Sequence, residues 1–171
     1  MNKKGTYRTL LVWSLVFAGL GISSCATVIS REVLREVDQG VRFEEILKDP
    51  EAYQGRVVLL GGEILKTENF PDKTQLIVIQ WPLNSEKKPT TKDASKGRFI
   101  VSDSDFLDPA IYRRGRKVTI VGSVTGKELR RLDERELIYP VITKKELYLW
   151  PVEEDYAPEE PRVHFGIGIG F

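Results

Sequence analysis

The 171-residue sequence predicts a mainly β domain behind a cleaved signal peptide. The domain is expected to be a small, five- to six-stranded OB-like barrel with short helical turns. Three observations predict it. Five short runs rich in β-branched residues are separated by turn residues. The first and fourth runs share a pattern with a glycine in its middle, as expected for coiled barrel strands. A basic and then apolar amino terminus stops at the one cysteine of the chain. A two-sheet sandwich is the alternative for the β domain.

The first 24 residues carry only Lys3, Lys4 and Arg8 as charges, then the apolar run Leu10–Ile22, interrupted by Ser14. That run has 13 residues, short of the roughly 20 that a membrane-spanning helix needs. Ser23 and Ser24 lead to Cys25. A basic region, an apolar region and small residues at the end are the order of an export signal. Ile22-Ser23-Ser24-Cys25 resembles a bacterial lipobox. The cysteine is required there because its sulfur takes a diacylglyceryl group as a thioether. Cleavage between Ser24 and Cys25 then frees an amine that is N-acylated, as with palmitate. Cys25 is therefore the expected lipidation site and residues 1–24 the expected signal peptide. Two or more acyl chains anchor a protein stably, whereas one does so marginally. Ala26 follows the cysteine; Asp in that place is the inner-membrane retention signal of many such lipoproteins, so the expected destination is the outer membrane of a Gram-negative envelope.

Cleavage removes three of the 26 basic residues and none of the 25 acidic ones, leaving a net charge of −2. That balance gives no footprint for nucleic acid. One cysteine allows no internal disulfide.

Residues 25–41 read as a lipidated tether, with either a turn or two of helix or a solvated spacer after the anchor. Phe43, Ile46 and Leu47 are spaced for a short amphipathic helix, ended by Asp49-Pro50. Strands are expected at about 56–66, 75–81, 98–103, 116–126 and within 137–151, the last bent at Pro140. Gly61-Gly62 predicts a bulge or sharp coil. Residues 84–97 read as a polar loop and 127–136 as a charged hairpin connection. Asp108-Pro109 reads as the cap and first residue of a helical turn, with Phe106, Leu107, Ile111 and Tyr112 closing one barrel end. Residues 53–64 and 112–124 echo each other at an offset of 60: Gly55, Val58, Leu60, Gly62 and Ile64 align with Gly115, Val118, Ile120, Gly122 and Val124. The barrel domain spans 42–151. Residues 152–171 are an acidic, proline-containing linker and a glycine-rich tail. In that tail Val163, Phe165, Ile167, Ile169 and Phe171 alternate with small residues or His164.

Catalytic and metal chemistry are not expected. His164 is the only histidine and has no cysteine beside it for a zinc site. The same lack argues against a Ser-His-Asp or Cys-His nucleophile. Glu44-Glu45, Asp103/Asp105 and Glu153-Glu154-Asp155 read as surface charge rather than as two acids facing across a cleft. No phosphate loop is present; "GGEILKT" has the wrong spacing. Lys96, Arg98 and Phe99 form a basic-aromatic stripe that could stack bases, yet an exported, acidic protein rarely meets them.

Several stretches resemble the Slp family of outer-membrane lipoproteins. They are the lipobox Cys25, F-x-x-I-x-x-D-P-E-A-Y-x-G (43–55), V-x-L-G-G-E-I (58–64), P-L (82–83), S-K-G-R-F-I-V (95–101), F-L-D-P-A-I-Y (106–112), G-R-K-V-T-I-V-G (115–122), Y-P-V-I (139–142) and L-Y-L-W-P (147–151). Residues 127–137 depart from the shorter, glycine-containing segment expected there. The resemblance implies a lipid-anchored outer-membrane protein with a non-catalytic structural or stress-related envelope role, associated with starvation. No cofactor is implied beyond the covalent lipid. The expected partner is the membrane, with an envelope protein or a second copy reached through 163–171. The alternative is a membrane-tethered binding module for a small apolar or glycan ligand, with a pocket lined by Trp81, Tyr139 and Trp150.

Overall fold

The computed structural model describes residues 27–152. It contains two short helices, α1 (Arg31–Arg35) and α2 (Phe43–Lys48), and five strands: β1 (Val57–Asn69), β2 (Thr74–Gln80), β3 (Arg98–Asp103), β4 (Lys117–Leu132) and β5 (Arg135–Leu149). The strands close into one barrel in the order β1-β2-β3-β5-β4, antiparallel except for the β3–β5 pair. This is the OB-like barrel expected, with five strands among the described residues.

β1 closes the barrel by serving two neighbours. Its first half pairs with β4, from Val57↔Ser123 to Glu63↔Lys117, and its second half with β2, from Gly62↔Gln80 to Asn69↔Thr74. The two ladders overlap at Gly62 and Glu63, within and just after the paired glycines. A Cβ on Gly62 would overlap the Ile79 carbonyl, and one on Gly122 the Thr143 carbonyl. The bulge itself lies further on, between Ile64 and Lys66.

The 60-residue echo is a local two-fold relation. Val58 pairs with Gly122 and Gly62 with Val118, about the central pair Leu60↔Ile120. Both ends of this ladder are tied alike: Gly55 N–H donates to Val124 O at 2.8 Å and Gly115 N–H to Ile64 O at 2.9 Å.

Alternate residues of each strand fill the interior, including Leu60, Ile64, Leu76, Val78, Phe99, Val101, Val118, Ile120 and Ile142. α2 closes one end. Its Phe43 and Ile46 are buried, and Phe43 meets Phe99 edge-on, ring centroids 5.8 Å apart. Asp49-Pro50 ends α2 as expected. Leu107 closes the other end, helped by Tyr112. Phe106 and Ile111 do not: they stand 73% and 51% exposed. The 104–115 connection makes a single turn, with Asp108 O accepting Ile111 and Tyr112 N–H. That turn is too short to direct all four apolar side chains inward.

Two stretches differ from their sequence reading. Residues 127–136 form the expected hairpin between β4 and β5, but all of it except the turn at Asp133 and Glu134 is strand. β4 and β5 run on as a two-stranded arm to Leu132↔Arg135, turned by Asp133 at φ 55°. Its charges alternate between more and less exposed positions, so a period-two pattern was hidden among residues that look like a loop. Ahead of the barrel, the helical alternative is the one that forms. Ile29 is fully buried. Ser30 caps α1, and its N–H and hydroxyl donate to Glu146 at 2.9 and 2.7 Å. Glu36–Lys145 and Asp38–Arg56 ion pairs, at 2.7 and 2.8 Å, complete a strap across the barrel wall.

Candidate functional site

Cys25, Ser24, His164, the 163–171 tail and the Glu153-Glu154-Asp155 run lie outside the described residues. The other acidic candidates do not converge. Glu45 reaches back to the Arg42 N–H and its guanidinium, which hold its carboxyl below the ordinary value. Asp103 and Asp105 share one cation. Lys144 Nζ lies 2.7 Å from Asp103, whose side chain is fully buried, and 3.1 Å from Asp105. Burial pulls the Lys144 ammonium down, but the hydrogen bonds to the two carboxylates outweigh it and hold it above its ordinary value. This is a structural ion cluster at the rim of the barrel. Among the described residues, no group of three or more metal-ligating side chains comes together.

The three aromatic residues expected around one pocket are split. Trp81 and Trp150 are both buried. Trp150 Nε1 donates to Thr119 Oγ1 at 2.9 Å, and Thr119 in turn donates to Lys87 O. Leu83 and Pro89 stand against Gly61. The 81–90 loop thus folds down on the outside of β1 and β4 with a small apolar core of its own. Tyr139 sits elsewhere, with its hydroxyl 3.1 Å from Arg98 Nη1.

Arg98 and Tyr139 separate two adjoining clefts under the β4–β5 arm. The first, about 440 Å³, is lined by Leu47, Leu137, Ile138 and Tyr139, with Lys96 and Arg98 among its polar groups. The second, about 280 Å³, adds Lys66, Arg130 and Arg131. The cations differ in how they are held. Arg130 pairs with Glu68 and Glu128 and donates to Gln75 Oε1 at 2.7 Å, fixing the arm to β1 and β2. The Lys66 hydrogen bond holds the Glu68 carboxyl below its ordinary value; partial burial opposes this and Arg130 adds to it. Arg98 has the Tyr139 hydroxyl as its partner. The stripe residue Arg98 therefore faces the clefts, while Phe99 points into the core. The arm residues Glu128 and Arg130 were missed as site-formers; their alternation with Leu129 was the available signal.

The outer membrane lipoprotein Slp family matches residues 22–167. The chain belongs to this family. An uncharacterized lipoprotein, YeaY, of Escherichia coli K12 is 36% identical over 81 residues, covering 47% of this chain and 42% of that protein. An uncharacterized protein of Haemophilus influenzae Rd is 29% identical over 102 residues, 59% of this chain and 55% of the relative. Outer membrane protein Slp of Escherichia coli K12 is 27% identical over 112 residues, 66% of this chain and 59% of the relative. The chain thus matches about half the length of these relatives. Among solved structures, a small single-stranded DNA-binding protein from Streptomyces coelicolor superposes with a TM-score of 0.36 at 8% identity, over 56% of this chain and 94% of that one. The Schizosaccharomyces pombe Pot1pC domain bound to single-stranded DNA gives 0.32 at 11%, over 60% and 83%. Likeness at that level says nothing of what this chain binds. Family membership makes this an outer-membrane lipoprotein, attached to the membrane by lipid.

Proposed function

We propose that the chain is anchored through Cys25 and serves a non-catalytic, structural or stress-related role in the envelope. In this reading Cys25 carries S-diacylglyceryl and N-acyl groups after cleavage behind Ser24. Residues 25–41 lead from the anchor onto the 42–151 domain, and 152–171 form a linker and tail. One observation carries it: the family match begins at residue 22, ahead of Cys25, and extends to residue 167, past the end of the barrel. Mass spectrometry of the amino-terminal peptide from membranes tests it. The expected species begins at Cys25 and carries diacylglyceryl plus one acyl group. An unmodified Cys25 in membrane-bound protein overturns it.

The tail reading follows. Its period-two apolar residues suit strand addition to this domain or to another copy, or contact with an envelope protein. The barrel is closed, so this reading favours the outer edges of the β4–β5 arm as the ladders the tail would join. Cross-linking in cells of the native chain, the Cys25→Ala variant and a chain ending at Arg162 tests this. A partner recovered with the native chain but not with the one ending at Arg162 supports the tail reading; the same partners from both overturn it. The mature net charge of −2 supports a partner other than nucleic acid.

A second reading, a binding module for a small apolar or glycan ligand, is favoured by the cleft between α2 and Tyr139. The barrel interior is filled, so such a ligand would sit outside it, against Leu137 and Ile138. Saturable ligand binding that is lost in Ile138→Asp but kept in Lys87→Ala would support this reading.

A further inference from the structure

Two loops at one barrel end place phenylalanine in solvent. Phe70, between β1 and β2, is 43% exposed, and Phe106, after β3, is 73% exposed. Both line one small cleft. They are held rather than loose: Thr74 Oγ1 accepts the Leu107 N–H at 3.1 Å and lies 2.9 Å from Asp105 O, locking the two loops together. Lys73 Nζ stands 5.7 Å from the centre of the Phe70 ring. Single exposed apolar residues need no explanation; two held side by side on separate loops make a candidate contact surface.

The length of chain ahead of the barrel says what covers this rim. Ile29 is fully buried and Ser30 is fastened to Glu146. Ile29 lies four positions after Cys25, a reach of about 14 Å at full extension. A barrel on so short a lead cannot stand clear of the bilayer. The wall that carries the strap must lie against it, and the phenylalanine rim adjoins that wall. Glu146 holds Ser30; just across the bulge that sets Lys145 out of the ladder, Lys144 holds Asp105, the neighbour of Phe106.

We propose that the Phe70–Phe106 rim is the face that the anchored barrel lays into the lipid interface. The inference rests on lipidation of Cys25. Lys73 and Lys144 face Asp72, Asp103 and Asp105 around the rim, a net charge of −1 that gives anionic lipid no attraction, so the contact is apolar.

The test uses the lipidated full-length protein in phosphatidylethanolamine–phosphatidylglycerol vesicles. Cys25 is the only cysteine, and its sulfur is consumed by the lipid. Phe106→Cys therefore offers one thiol for an environment-sensitive fluorophore, and Arg135→Cys, at the tip of the arm, provides the control. The expected result is at least a three-fold lower iodide quenching constant at position 106 than at 135, with blue-shifted emission, unchanged when the anionic lipid fraction is varied. Equal quenching at the two positions overturns the proposal. Shielding at 106 that disappears as protein is diluted at fixed lipid also overturns it, because a second copy then covers the rim. Labelling of the parent chain would show a free Cys25 thiol; that result overturns the anchor itself and this proposal with it.

Discussion

Replacing Gly62 or Gly122 by alanine tests the barrel's closure. A Cβ at Gly62 meets the Ile79 carbonyl and a Val78 methyl; one at Gly122 meets the Thr143 carbonyl and an Ile142 methyl. In each case the carbonyl belongs to a paired neighbouring strand, so relief requires the ladder to move. Overpacking of this kind costs about 1–3 kcal/mol. Exchanging glycine for alanine in an unobstructed strand would instead gain roughly 0.5–1 kcal/mol. The net expectation is a loss of about 1–2 kcal/mol for each variant. With a urea slope of roughly 2 kcal/mol/M, the unfolding midpoint falls by about 0.5–1 M. Equilibrium urea unfolding of the mature protein, followed by far-ultraviolet circular dichroism, reads this directly. The two losses should be alike because the two positions are related by the local two-fold. Midpoints unchanged or raised in either variant would refute the close approach; a large loss at one position alone would refute the equivalence.

Other outcomes follow from single contacts. Lys144→Met leaves the buried Asp103 carboxylate without its cation and should lower stability by about 3 kcal/mol, read as a drop in the urea midpoint; a neutral result would show that the cluster contributes little. Because the Lys144 value is raised in the folded protein, its contribution is fully present below the ordinary lysine value of 10.5 and is lost as pH rises through the folded one. Glu68 has the opposite sign: its lowered value gives a contribution present above 4.5 and lost as pH falls through the folded value, so Glu68→Gln should flatten the acid limb of a stability–pH curve. Trp150→Phe forfeits the hydrogen bond to Thr119 and should cost about 1 kcal/mol more than Trp81→Phe, since Trp81 Nε1 has no hydrogen-bond partner among the described residues. Thermal melts of the two variants compare them; equal losses would count against the Thr119 contact. Glu146→Ala releases Ser30 and should speed proteolysis near Arg31 and Arg35 several-fold while the barrel stays intact.

Where one physical cause dominated, the residues announced the structure. β3 falls on the stretch Arg98–Asp103 that its β-branched run marked, and α2 ends where Pro50 forbids its continuation. The echo between residues 53–64 and 112–124 was visible because two strands in equivalent surroundings need glycine at equivalent places. The arm was not visible. Residues such as Arg130 and Glu128 look solvated in sequence, and only their meeting with Glu68 and Gln75, more than 50 positions away, makes them strand. The strap was hidden for the same reason, since Ile29 sits beside Val28 and small neutral residues with no period to mark it, and its burial depends on a distant wall. The clefts are tertiary too. Arg98 stood out for its charge, but its neighbour Tyr139 comes from another strand 41 residues later.

The β1–β4 ladder also governs how the barrel comes into being. Its partners lie 54 to 66 residues apart, from Glu63↔Lys117 to Val57↔Ser123. Local hairpins such as β1–β2 and β4–β5 close small loops and form early, whereas this seam must wait for most of the chain. Non-local pairing of this sort slows folding toward the millisecond-to-second range. Until the seam closes, β1 and β4 each present an unpaired edge. The vulnerable interval in the life of this protein is therefore the wait before closure, and a substitution that delays the seam would raise aggregation during assembly more than it lowers the stability of the finished barrel.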